Sequence, residues 1–119
     1  MRKQTVMIDF DGVIHSYTTP WEAPEIIPDP PTLGAQEAVA KLRERFQVVV
    51  YSTRALQGGL YAMDAWLDKH GIEVDDITGT KRPGVVYVDD RGFRFNGDWD
   101  EVLKFADGDM LPWNKKGRS

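Results

Sequence analysis

Two carboxylates stand two residues apart at the end of the first apolar run of the chain, Thr5-Val-Met-Ile-Asp9-Phe-Asp11-Gly12. Thr5, Val6, Met7 and Ile8 have the residue types of a buried β-strand, and strand alternation would send Asp9 and Asp11 to one side. Like charges placed so repel each other, and burying either without a partner is costly. A metal ion or a bound positive group is therefore expected beside them. Further on, Phe46-Gln-Val-Val-Val-Tyr51 ends in Ser52-Thr53-Arg54, a lysine follows at Lys81, and the acidic pair Asp89-Asp90 closes Val85-Val-Tyr-Val88. These groups suit phosphoryl transfer. A carboxylate can attack phosphorus only if the phosphate charge is offset, and Mg²⁺ held by carboxylate oxygens would offset it.

The elements that must carry these residues can be read from periodicity. Residues 5–8, 46–51 and 85–88 read as continuous apolar strands of the kind covered on both faces, and Ile72–Ile77 is a weaker strand. Helices fit the gaps. Asp29-Pro30 resembles an N-cap followed by a first-turn proline, with Leu33, Ala38, Val39 and Leu42 as its stripe. Leu60, Met63, Trp66 and Leu67 form a second stripe, stopped by Gly71. Asp98-Trp-Asp-Glu101 has capping-box spacing before Trp99, Val102, Leu103 and Ala106. Strands alternating with helices predict an α/β domain with a mainly parallel sheet flanked by helices. In such sheets ligands bind beyond the carboxyl ends of the strands, which gathers Asp9, Asp11, Ser52, Lys81, Asp89 and Asp90 along one edge.

Composition sets the outer bounds. The 119 residues suit one domain, with 41% hydrophobic and 29% charged residues as in ordinary globular proteins. A formal net charge of -4 argues against an extended nucleic-acid interface, and the lack of cysteine excludes disulfides and thiolate metal sites. The chain opens Met1-Arg-Lys-Gln rather than with an apolar leader, and no run approaches the ~20 apolar residues of a membrane span. A soluble, cytoplasmic domain over residues 1–106 is expected, with a flap at 13–31 and a basic tail at 107–119 to which Trp113 belongs.

Competing readings of the first motif are weaker. A calcium loop starting at Asp9 wants Gly at its sixth position and Glu at its twelfth, where this chain has Ile14 and Pro20. A receiver domain carries its adjacent acidic pair on the first strand, whereas here that pair comes last. Taken singly, Ser52 could merely cap a strand end, Lys81 could lie on the surface, and Asp89-Asp90-Arg91-Gly92 could be a solvated turn. It is their joint order that points to chemistry.

In that order the chain resembles the haloacid dehalogenase-like (HAD) hydrolases. Asp9-Phe-Asp11-Gly12-Val13 looks like their first motif, Ser52 after Val48-Val-Val-Tyr51 the second, Lys81 the third and Val86-Tyr-Val-Asp89-Asp90 the fourth. The resemblance covers residues 5 to about 95, and the strings Ser52-Thr-Arg54 and Asp89-Asp-Arg-Gly92 also resemble those of small bacterial and phage members. It implies a Rossmann-like domain and a Mg²⁺-dependent phosphatase that cleaves phosphate monoesters through an aspartyl-phosphate. Asp9 would be the nucleophile. Asp11 would be acid and then base, its backbone carbonyl also binding the metal. Ser52 and Lys81 would hold the transferring phosphoryl group. Asp89 and Asp90 would complete the metal site, with Asp90 favoured as the direct ligand and Asp89 as support for Lys81. The alternative function is a HAD-like domain that binds a phosphorylated partner without turnover.

The resemblance also frames what is missing. Gly12 to Thr32 leaves room for a flap, and Thr53 to Lys81 for one helix and one strand, so no cap domain is expected. The flap carries His15, Tyr17 and Trp21 among its prolines. Its aromatics could stack on a base or sugar, which suits a nucleotide or a nucleic-acid end, or could fasten the loop to the domain. Histidine at position 15 could reach the site or be structural. Arg54 and Arg91 could hold a second phosphate or pair with nearby carboxylates.

Overall fold

The structure, a computed structural model, describes residues 4–81, 86–89, 93–94 and 97–108; of Val86, Asp89, Phe93, Arg94 and residues 105–108 it describes the backbone. Its elements in chain order are β1 (Gln4–Asp9), α1 (Ala35–Arg43), β2 (Phe46–Tyr51), a 3₁₀ turn (Thr53–Leu56), α2 (Leu60–Lys69), β3 (Asp76–Thr78), β4 (Val86–Asp89), β5 (Phe93–Arg94) and α3 (Trp99–Gly108). The sheet order is β3-β2-β1-β4-β5, with β1 to β4 all parallel and the two-residue β5 alongside β4. This is the expected α/β architecture, and β1 lies at its centre.

The apolar runs form strands because each β-branched or aliphatic residue finds cover. Val6, Ile8, Val48, Val50 and Val88 join one core with the buried faces of α1, α2 and α3. Met7 and Val49 alternate to the opposite side and are buried as well. Each fully buried side chain of this kind contributes about 1.5–3 kcal/mol. Register aligns Asp9 with Tyr51, so the carboxyl ends of β1 and β2 finish together.

Element boundaries depart from the periodicity reading at the first helix and at the third strand. The first helix begins at Ala35, not after Asp29-Pro30, and Leu33 is 95% exposed rather than part of its stripe. The Asp29 carboxylate is engaged elsewhere, accepting from the Thr19 amide at 2.8 Å and the Thr19 hydroxyl at 2.6 Å. Gly34 instead leads into α1, with a φ of 87° that a side chain would disfavour. The strand expected at Ile72–Ile77 is confined to Asp76–Thr78. Asp75 precedes it with a carboxylate that accepts from the Val48 amide and from Arg43. Ile72 is buried core immediately after the turn at Gly71.

Met63, Trp66 and Leu67 are the buried face of α2, whereas Leu60, expected in the same stripe, stands at the helix start and is 41% exposed. Asp98 Oδ1 accepts from the Asp100 amide at 2.9 Å to start α3, and Trp99 and Val102 are buried. The helix runs to Gly108, beyond the boundary expected at residue 106, and the tail from 109 with Trp113 lies outside the described residues. Among the described residues no helix is long and apolar enough to cross a membrane.

Candidate active site

Asp9 is the last residue of β1, and one of its oxygens accepts from the Phe10 amide at 3.0 Å. The chain then wraps around a single carbonyl. Phe10 O accepts from the amides of Val13, Ile14 and His15, a turn that requires Gly12 at a φ of 82°. This tight turn sends Asp11 back towards β2, where the 3₁₀ turn after Ser52 presents Arg54. Arg54 Nε and Nη2 donate to the two Asp11 oxygens at 2.9 and 3.0 Å, a bidentate fork. Ser52 Oγ accepts from the Arg54 amide at 3.1 Å, so it caps the turn and keeps its own proton to donate.

Arg54 is 1% exposed, and its remaining donors go to the flap. Nη1 donates to the carbonyls of Pro24 at 2.9 Å, Ile26 at 3.0 Å and Ala23 at 3.3 Å. Trp21 lies over the guanidinium, with its ring centre 4.4 Å from the Arg54 central carbon. The guanidinium thus joins Asp11 to three flap carbonyls and a flap indole. Of the two uses open to Arg54 in the sequence, the geometry displays carboxylate pairing.

His15 is fully buried behind Asp11. The Asp29 amide donates to its Nε2 at 3.2 Å, so Nε2 presents a lone pair and the proton sits on Nδ1, which donates to Asp11 Oδ1 at 2.8 Å. Phe10 stacks on the imidazole and Trp66 meets it edge-on. Burial alone would raise the Asp11 carboxyl, but the hydrogen bonds from His15 and Arg54 and the Arg54 charge outweigh it and hold the group below its ordinary range. Asp11 therefore rests as an oriented carboxylate.

The flap is stitched at its base. Thr32 N donates to Ile14 O, Ser16 N to Pro30 O, and the Trp66 indole to Asp29 O. Its outer part passes against Gly59, where a Cβ would stand only 2.6 Å from Pro24 O. A Gly59→Ala variant is accordingly expected to displace the Pro24 segment. That would show as faster protease cleavage within 17–27 than in the wild type, while equal cleavage would contradict this seating. Trp21 and Tyr17 are 46% and 40% exposed, and Tyr17 holds a left-handed φ of 57° with its ring tilted over His15. Each thus has one face against the domain while a part stays open.

Lys81 follows β3, its ammonium 5.4 Å from the centre of the Tyr51 ring and 5.1 Å from that of Tyr87. Asp9 ends β1, Asp11 follows on the next turn, Ser52 follows β2, and Lys81 lies against one ring from β2 and one from β4. Asp89 ends β4 in backbone, its side chain undescribed, while Asp90 and Arg91 lie outside the described residues. Among the described residues no three acidic or histidine side chains form a metal cluster. The donor chemistry nevertheless fits a hard cation, because Asp9 offers carboxylate oxygen at a strand end beside the chain position of Asp89. The Asp11 carboxylate is committed to Arg54 and His15, leaving its backbone oxygen as the group the HAD resemblance assigns to metal.

No protein-family profile matches the chain. No curated protein matches it either. Among solved structures, a D,D-heptose 1,7-bisphosphate phosphatase from B. bronchiseptica, complexed with magnesium and phosphate, is similar with a TM-score of 0.44 and 20% sequence identity. The match covers 67% of this chain and 51% of that one, so this chain spans about half of that phosphatase's length.

Periodicity and motif order did not anticipate two parts of the site. Asp29 reads as a helix cap, yet its backbone amide fixes the His15 tautomer. Tyr51 and Tyr87 read as strand residues, yet both rings border Lys81. Their positions beside Ser52 and Asp89 are the one signal that could have singled them out.

Proposed function

We propose that the chain is a Mg²⁺-dependent, HAD-like phosphohydrolase without a cap domain, cleaving phosphate monoesters through an aspartyl-phosphate. What supports this reading is that Asp9 and Ser52 close adjacent parallel strands while Lys81 lies against Tyr51 at the end of β2, in the order of the HAD motifs. Asp9 attacks phosphorus, the bond to the ester oxygen breaks, and that oxygen takes a proton from Asp11. Asp11 then removes a proton from water, whose oxygen displaces Asp9 from phosphorus. Ser52 donates to a phosphoryl oxygen and Lys81 offsets the equatorial charge. Asp9, Asp89, Asp90 and the Asp11 carbonyl would hold Mg²⁺, which when bound neutralises phosphate charge.

The resting geometry serves the base role of Asp11 directly, whereas the acid role requires it to take up a proton and loosen the Arg54 fork. That same fork favours a second reading, in which the domain binds a phosphorylated partner without turnover. A panel of phosphate esters assayed with Mg²⁺ and with chelator separates the two. Metal-dependent phosphate release supports the enzyme. Binding without release on every substrate supports the second reading.

A nucleotide or a nucleic-acid end is the proposed substrate class, and the cytoplasm is the proposed setting. Trp21 supports it, because its inner face rests on Arg54 while much of the ring stays open beside the site. Stacking of a base is worth ~1–3 kcal/mol. Trp21→Ala should then reduce turnover of a nucleoside monophosphate about tenfold more than that of a small ringless phosphate ester. An unchanged ratio of the two rates would defeat the nucleotide assignment at Trp21.

A further inference from the structure

We infer that Tyr51 and Tyr87 are positioning residues that hold the Lys81 ammonium over the reacting end of the sheet, an inference resting on the phosphohydrolase reading. The two tyrosines come from β2 and β4, the strands on either side of β1. Register sets Tyr51 beside Asp9 and Tyr87 beside Met7. Paired residues in a parallel sheet share a side, as do residues i and i+2, so Asp9, Tyr51 and Tyr87 project to the same side of the sheet. That side is opposite the core formed by Val6, Ile8, Val48 and Val50 with the three helices.

Lys81 reaches this side from the chain leaving β3, which lies at the sheet edge beyond β2. A lysine has four side-chain carbons and many rotamers, so each contact that its ammonium makes narrows where the charge sits. Ring centres at 5.4 and 5.1 Å are both within the ~6 Å over which an aromatic quadrupole attracts a cation. Two rings on different strands confine the ammonium far more narrowly than either would alone, to the region that both can reach. That region lies between the strand carrying Ser52 at its end and the strand carrying Asp89, on the side to which Asp9 projects. The ammonium is thereby preorganised towards a phosphoryl group on Asp9, and ordering it before substrate arrives removes part of the entropic cost of binding.

The test compares Tyr51→Leu, Tyr87→Leu and the double variant with the corresponding phenylalanine variants. One contact of this kind supports about a 2–5-fold loss in kcat for each leucine variant, and about 5–30-fold for the pair. Phenylalanine keeps the ring and should restore the rate, a rescue that loss of the hydroxyl would not give. In a Lys81→Ala background the leucine substitutions should cost nothing further. Ring-current shifts of the Lys81 ε-methylene protons, followed by NMR, should be present in the wild type and phenylalanine forms and vanish in the leucine double variant. Phenylalanine variants as slow as the leucine ones, or undiminished losses in the Lys81→Ala background, would overturn the positioning role. A Lys81 shift indifferent to the leucine changes would overturn the placement itself. Wild-type protein that releases no phosphate from the ester panel sinks the phosphohydrolase reading, and the NMR comparison then decides the Lys81 placement independently.

Discussion

On the proposed phosphohydrolase mechanism, Asp9→Asn is expected to abolish turnover and to leave the fold in place. The amide has nearly the shape of the carboxylate and retains an oxygen to accept from the Phe10 amide, the 3.0 Å bond that ends β1. It lacks the charge and nucleophilicity to form a bond to phosphorus. Removing a covalent nucleophile acts on the order of 10⁶-fold in kcat, so activity should drop to background. Stability should be unchanged or slightly higher in the absence of metal, because neighbouring carboxylates repel when no cation is present. Rapid acid quenching with labelled substrate should trap phosphate on the wild-type protein and none on Asp9→Asn. A variant retaining a near wild-type rate would exclude the aspartyl-phosphate route.

That Asp9 would close the first strand could be read beforehand from the apolar run it ends. Val6 to Ile8 and Val48 to Val50 are continuous apolar runs because β1 and β2 are covered on both sides, and such runs announce themselves without context. The polar residues that close them fall at one edge by topology alone. What could not be read is anything set by contacts between distant positions. Arg54 and Asp11 are 43 residues apart, and nothing local to either marks the fork between them. Asp29 shows how a correct local signal is overridden. Asp-Pro is a sound helix start, but the carboxylate gains more from the Thr19 amide and hydroxyl, so the helix waits for Gly34 and Ala35. The weak strand at Ile72–Ile77 shrank for a similar reason, its Asp75 being spent on the Val48 amide and Arg43.

Arg54→Met should be the most damaging substitution outside the reacting groups, through stability and activity together. Methionine fills much of the same volume but donates nothing. It leaves Asp11 without its fork and the carbonyls of Ala23, Pro24 and Ile26 without their common donor. The arginine side chain is 2% exposed and the Asp11 side chain 24%, so water replaces little of what is lost. Breaking a buried pair by removing one partner costs about 3–5 kcal/mol, a large share of the stability of a domain this size. Activity should fall with it, by up to the ~10²–10⁴-fold that positioned proton transfer contributes, because the His15 hydrogen bond to one Asp11 oxygen would then have to orient the carboxylate without the fork. Arg54→Lys keeps the charge yet cannot span both carboxylate oxygens and the flap carbonyls, and should lie between. The pH dependence distinguishes this mechanism from a general packing defect. The folded state holds the Asp11 carboxyl below its ordinary value of 3.8, so its contribution to stability is fully present above that value and is lost as pH falls through the lowered folded value. The gap in urea midpoint between wild type and Arg54→Met should therefore be widest above pH 3.8 and narrow under more acid conditions. A gap that stays constant across that range would mean the arginine stabilises the fold only through the flap carbonyls and Trp21, and that Asp11 does not depend on it.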